Sequence, residues 1–308
     1  MTTLLLALAL LIANGYRTTD AAEPTPIILI TSQDSAPYQE VVTSFRHHLN
    51  QQRIEDPLLT HSLLTDSPQI EESLANAKQE GVRLFVTVGP SATQRILGAV
   101  GEIPVLACLA ANAAELRNAP NATGVTIDFS VETQLRQLHQ FLPDRKTIGV
   151  LYNPTENKEQ IKEARKVARI LGLKVFAQPV EYPRALPKAL ASLANTAEVL
   201  WGLTDQTVLS PQTAEPILLF SFRNRIPLAG LSSSWTKAGA LYALDRDYTD
   251  LGIQCGELAV KVLQGTKAGS IPPAPPRKMT YSLNLKTARH MKVDFTPAIL
   301  EGAQQVFP

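Results

Sequence analysis

Apolar strand-like runs and amphipathic helical runs take turns along almost the whole of this chain, and that alternation confines it to one fold class. Ile27–Thr31 is a β-rich apolar run, after which Val42, Phe45 and Leu49 recur at helical spacing. Val82–Val88 is apolar throughout, the pattern of a strand covered on both faces of a parallel sheet. Ser67-Pro68 supplies a cap and a proline at the first helical position, and Gly81 stops that helix. Short helical and strand signals follow at Gly89-Pro90-Ser91 and Ile103–Ala110, and Gly124–Phe129 opens a second set. That set continues with a strand at Thr147–Tyr152 and a helix at Lys158–Leu171. Its apolar face is Ile161, Ala164, Ala168 and Leu171, and Gly172 ends it. Lys174–Gln178, Ala197–Leu203, Ile226–Leu231 and Gly239–Leu244 read as further strands. Met279–Leu285 reads as a returning strand.

Strict β–α alternation predicts an α/β fold of doubly wound parallel sheets. A chain of 308 residues is too long for one such sheet, and two sets of about a hundred residues each predict two lobes. The crossings are expected near residues 115–126, 228–236 and 266–285. Lobe 1 would then hold 23–120 and 232–278, and lobe 2 would hold 121–231 and 279–308.

Composition removes several functions. A net charge of +1, with dispersed Lys and Arg, gives no attraction to nucleic acid or anionic membrane. The five His form no H-E-x-x-H pair, and the two cysteines, Cys108 and Cys255, lie far apart in apolar settings that suit buried thiols. No metal site is expected. Neither G-x-G-x-x-G nor a P-loop is present, so no nucleotide cofactor is expected. Gly89-Pro-Ser-Ala-Thr93 lacks the second glycine of a nucleophile elbow, and no catalytic constellation appears elsewhere. The chain reads as a binder, not an enzyme. Leu4–Ala13 is apolar but shorter than the roughly 20 residues that span a bilayer. Small residues at Ala21-Ala22 follow it, so residues 1–22 read as a signal peptide without a basic start, and the periplasm is the expected location.

In open α/β sheets, ligands gather at the carboxyl ends of the strands. Tyr152-Asn153-Pro154 and Thr204-Asp205 stand at such ends. Asp205 is placed either to meet a ligand amine or to cap the next helix. Ser91 offers a hydroxyl beside free backbone N–H groups, which suit a carboxylate as well as an ordinary helix start. Trp201, inside a strand, reads as core, whereas Trp235 falls at an expected crossing where an aromatic ring can stack on a ligand.

The ordered series Val86-Thr-Val-Gly89-Pro-Ser-Ala-Thr93, Asn121-Ala-Thr-Gly124-Val125, Ile148-Gly-Val-Leu-Tyr-Asn-Pro154, Thr204-Asp205 and Asp247-Tyr-Thr-Asp-Leu-Gly252 completes the reading. It resembles the ABC-transporter substrate-binding protein family that includes tryptophan and other aromatic amino-acid binding proteins, over about residues 27–292. The resemblance implies a type I periplasmic-binding-protein fold, two Rossmann-like lobes joined by a multi-strand hinge. It also implies a membrane permease and an ATPase as partners; a monomer without cofactors is expected. By that likeness the cleft residues are Ser35, Ser91, Ala92, Tyr152, Asn153, Asp205, Ser233 and Trp235.

Two departures stand out. The family's Gly-Thr-Pro-Ala is Gly89-Pro-Ser-Ala92 here, and its Thr-Asp-Pro gives way to Leu109-Ala-Ala-Asn112, which puts Asn112 in the cleft wall without the acid. An ammonium group wants a carboxylate partner, so the loss weakens the case for a zwitterion. Three readings follow: an amino-acid-like or aromatic ligand by family likeness, an apolar lipid such as a sterol or hopanoid by the altered wall, and a ligand-sensing subunit of a membrane receptor.

Overall fold

The computed structural model describes residues 25–205 and 207–308, so the expected signal segment lies outside the described residues. The first lobe opens with β1 (Ile27–Thr31), α1 (Ala36–Gln51), β2 (Leu58–Ser62) and α2 (Ser67–Asn76). It continues with β3 (Leu84–Val88), α3 (Pro90–Leu97), β4 (Val105–Ala110), α4 (Ala113–Arg117) and β5 (Ala122–Thr126). These strands form a five-stranded parallel sheet in the order β2-β1-β3-β4-β5. Side chains alternate across it: Ile27 and Leu29 face α1, while Ile28 and Ile30 face the residues of α2 and α3. Both faces are covered, which is why β1, β3 and β4 are buried along their whole length.

The second lobe starts with α5 (Val131–Phe141), β6 (Thr147–Tyr152), α6 (Pro154–Ile170) and β7 (Lys174–Pro179). α7 (Leu186–Leu193), β8 (Val199–Trp201), α8 (Pro211–Asn224), β9 (Leu228–Gly230), α9 (Ser233–Ala238) and β10 (Tyr242–Arg246) follow. The chain then returns to lobe 1 for α10 (Tyr248–Leu263), which packs along α1 and over β4. It ends in lobe 2 with β11 (Met279–Asn284), α11 (Leu285–Met291), α12 (Pro297–Glu301) and β12 (Gln305–Phe307). The second sheet has seven strands in the order β12-β11-β10-β9-β8-β6-β7, and β11 runs antiparallel to β10.

The expected two lobes of parallel sheet are present, but two crossings lie elsewhere than the sequence suggests. β5 pairs with β4, so residues 121–126 belong to the first sheet. β10 adds to β9 with Tyr242 opposite Ala229, so residues 232–246 belong to the second. The chain therefore crosses at 127–130, at 246–247 and along 271–278. The Ser232–Trp235 segment reads like a crossing because its helix is only six residues long, yet it is an ordinary β–α–β connection inside lobe 2. Cys108 on β4 and Cys255 on α10 are buried free thiols in one lobe-1 core.

Polar contacts hold the crossings side by side. The amide of Thr126 donates to the carbonyl of Ala274 at 2.9 Å, and that of Ala274 to Gly124 at 3.0 Å. Arg277 donates from Nε to Asp250 Oδ2 at 2.9 Å and from Nη1 to Glu257 Oε2 at 2.8 Å, while Lys278 Nζ stands 3.3 Å from Asp250 Oδ1. Burial pushes the Asp250 carboxyl up. The hydrogen bonds and charges of Arg277 and Lys278 outweigh it and hold the group below its usual range. A carboxylate with a depressed folded pKa adds stability that is present above its unfolded value of about 4 and disappears as pH falls through the folded value. Melting temperature should therefore drop more steeply below about pH 4 in the wild type than in Asp250→Asn. Parallel acid melting curves for the two proteins would refute this account of the hinge.

Candidate ligand-binding cleft

At the carboxyl ends of β8, β9 and β10, beneath two of the crossings, lies a cleft of about 470 Å³ including its open mouth. That edge is where open α/β sheets gather their ligands. The floor is Trp201–Leu203, Ala229–Leu231, Tyr242 and Leu244. The wall is polar: Asp128 from the first crossing, Gln134 of α5, Gln160 of α6, Thr204, and Arg246 from the second crossing.

Few of these side chains are free to turn. Trp201 Nε1 donates to Gln134 Oε1 at 2.9 Å, and Gln134 Nε2 donates to the carbonyl of Phe129 at 2.8 Å. One amide thus fixes the indole edge and ties the floor to the crossing. Thr204 Oγ1 donates to Asp128 Oδ1 at 3.1 Å. Burial pushes the Asp128 carboxyl up, with the Arg246 charge and the Thr204 hydroxyl pulling the other way. An acid, a cation, two amides and an aromatic floor meet in one concave space. Such a lining suits a small organic molecule with polar ends and a flat apolar body.

No cluster of three or more His, Cys, Asp or Glu is grouped for a metal among the described residues, and none of their helices is long and apolar enough to cross a membrane. The model of the ABC transporter substrate binding protein family matches residues 27–307. The chain belongs to this family. A Clostridioides difficile tyrosine-binding protein is 25% identical over 217 residues, 67% of this chain and 62% of that relative, so the chain spans less than two thirds of its length. An open, ligand-free substrate-binding protein with adhesive properties from Clostridium difficile superposes with a TM-score of 0.75 at 22% identity, over 92% of this chain and 99% of that one. A Streptococcus ABC domain in complex with L-Trp gives 0.65 at 20% identity, over the same shares. The architecture is that of type I periplasmic binding proteins.

Set within the substrate-binding fold, the residues singled out from sequence divide into four places, and none of them lines this cleft. Ser35, Ser91 and Ala92 sit at strand-to-helix turns of lobe 1. Ser35 and Ser91 are exposed, while Ala92 is buried and donates its amide to Ser32 Oγ at 2.8 Å. Asn112 caps α4, its Oδ1 accepting from the amide of Glu115 at 2.8 Å. Tyr152, Asn153 and Asp205 cluster at the β6 end of lobe 2. There Asp205 Oδ2 accepts from the Asn153 amide at 2.6 Å and Asn157 Nδ2 at 3.1 Å, and Oδ1 accepts from the amides of Thr207 and Val208, both at 2.7 Å. Both oxygens are occupied, so Asp205 braces two loops. Ser233 and Trp235 belong to α9, where Trp235 packs on the core that contains Leu151 and Leu228, with its Cβ close against Gly230.

Asp128, Gln134 and Arg246, which line this cleft, are not among the residues singled out from sequence. A signal for Arg246 existed in the triplet Asp245-Arg246-Asp247, a charged break directly after an apolar strand. Trp201 is both core, at 4% exposure, and part of the cleft floor.

Proposed function

We propose that this protein captures a small amphoteric organic molecule, amino-acid-like or aromatic, between its lobes outside the cytoplasmic membrane. It passes that ligand to a permease driven by an ATPase. The observation that carries this reading is Asp128 and Arg246 on one wall over an aromatic floor. The acid that the sequence lacks at Ala110-Ala111 has a counterpart at Asp128, in the first crossing. The tyrosine-binding relative and the neighbour crystallised with L-Trp support the same ligand class. A wall with two charges and two amides disfavours a sterol or hopanoid, whose transfer into it would strip water from those groups without repayment in hydrogen bonds. Closure by hinge motion about the three crossings would bring the lobe-1 turns at Ser35 and Ser91 over the ligand.

The chain has two tryptophans, so Trp235→Phe leaves Trp201 as the sole indole, at the floor of the cleft. Titration of that variant with L-tyrosine, L-tryptophan and their analogues should give a saturable change in emission, matched by calorimetry on the wild type. Saturable binding of sterol, with no response to any amphoteric molecule, would overturn the reading in favour of a lipid carrier.

A further inference from the structure

We infer that Arg246 receives a carboxylate of the ligand, so that the protein selects organic acids over their neutral analogues; this rests on the cleft being the ligand site. The Arg246 side chain is only 10% exposed, and its Nε is buried with no hydrogen-bond partner among the described residues. Its surroundings do not satisfy it. Asp245 Oδ1 stands 3.9 Å from Nε, beyond hydrogen-bond reach, and accepts instead from the Arg246 amide at 2.9 Å. The Tyr248 ring centroid lies 5.9 Å from Cζ, near enough for a cation–π attraction but unable to accept from Nε in the plane of the guanidinium. Asp128 lines the same cleft and already accepts from Thr204.

A buried guanidinium with an orphaned N–H is costly to keep, because the desolvation of a charged donor is not repaid. The missing partner is an acceptor, and Arg246 is among the residues that line the cleft. Guanidinium donors lie in a planar fork that matches the two oxygens of a carboxylate. An amide or alcohol supplies one such oxygen and no charge. Arg246 also occupies the second crossing itself, between the end of β10 and the start of α10. A carboxylate held there sits at the hinge, and the apolar body of the ligand extends over Gly202 and Gly230 toward Trp201.

The test pairs four carboxylates, benzoate, 3-(4-hydroxyphenyl)propionate, L-tyrosine and L-tryptophan, with their four primary amides, measured by calorimetry on the wild type, Arg246→Gln and Arg246→Lys. At least one acid should bind the wild type with its amide about 10- to 100-fold weaker. Arg246→Gln should lose a similar factor for the acid and leave the amide unchanged, and Arg246→Lys should fall between. Should Arg246→Gln not fold, the acid-against-amide ratio on the wild type still decides. Equal binding of acid and amide, or wild-type affinity of the acid for Arg246→Gln, overturns the role of Arg246 while the cleft remains the ligand site. Binding of amides with no acid bound does the same. If none of the eight probes binds, both readings fall.

Discussion

Replacing Gly252 by valine is expected to lower the melting temperature by several degrees. Gly252 lies on α10 where that helix crosses α1. A Cβ there runs into Ser44 Oγ, and it lies 2.5 Å from the carbonyl oxygen of Val41 and 3.0 Å from the amide nitrogen of Phe45. Two of those three atoms are α1 backbone, so no rotamer change relieves the clash and the helices must part. Ser44 is fixed as well, since its hydroxyl donates to the Glu40 carbonyl at 2.7 Å. Overpacking of a tight core typically costs about 1–3 kcal/mol, and more where backbone must move. For Gly252→Ala we expect about 2 kcal/mol and for Gly252→Val 3 kcal/mol or more, roughly a 5–10 °C loss in melting temperature for the valine. Circular dichroism melts of the two variants measure this. A valine variant that melts within a degree or two of wild type would show that α1 and α10 are not in such close contact.

The second large effect is expected at Asp205. Removing its carboxylate in Asp205→Ala deserts three backbone amides, of Asn153, Thr207 and Val208, together with the Asn157 side chain. Each buried donor left without an acceptor costs about 1–3 kcal/mol, although loop rearrangement and water recover part of the total. A loss of about 3–4 kcal/mol in urea unfolding is the expected outcome. Asp205→Asn keeps one acceptor oxygen and should lie near half of that. The sequence alone makes Asp205 a candidate for a ligand amine, which predicts weakened binding with an unchanged melt. The geometry predicts the reverse order of effects, stability first. An alanine variant as stable as wild type but unable to bind ligand would return Asp205 to the site.

How far the site was legible depends on the range of the interactions that build it. Strand ends can be read locally, because a break from apolar to polar residues marks them, and Tyr152-Asn153 and Thr204-Asp205 were found that way. Whether such a residue faces a ligand or its neighbours depends on what packs beside it. The Asn153–Asp205 bond joins residues 52 apart, and the Trp201–Gln134 bond joins residues 67 apart. No local pattern encodes either. Trp235 shows the same limit from the other side: it stacks into its own lobe because Gly230 leaves room for its Cβ.

The alternation of apolar runs and amphipathic helices determined the fold class, the two parallel sheets and the order of most elements, because the period of side-chain burial is a local property of each segment. Tertiary structure alone decided where the chain changes lobes. β10 reads like any other strand, and only its pairing with Ala229 assigns it to the second sheet. That assignment moves the crossing to 246–247 and carries Arg246 into the cleft beside Asp128, residues 118 apart in the chain. The site is thus made where strands separated in sequence end side by side, and strand pairing is a choice among partners that the whole molecule makes.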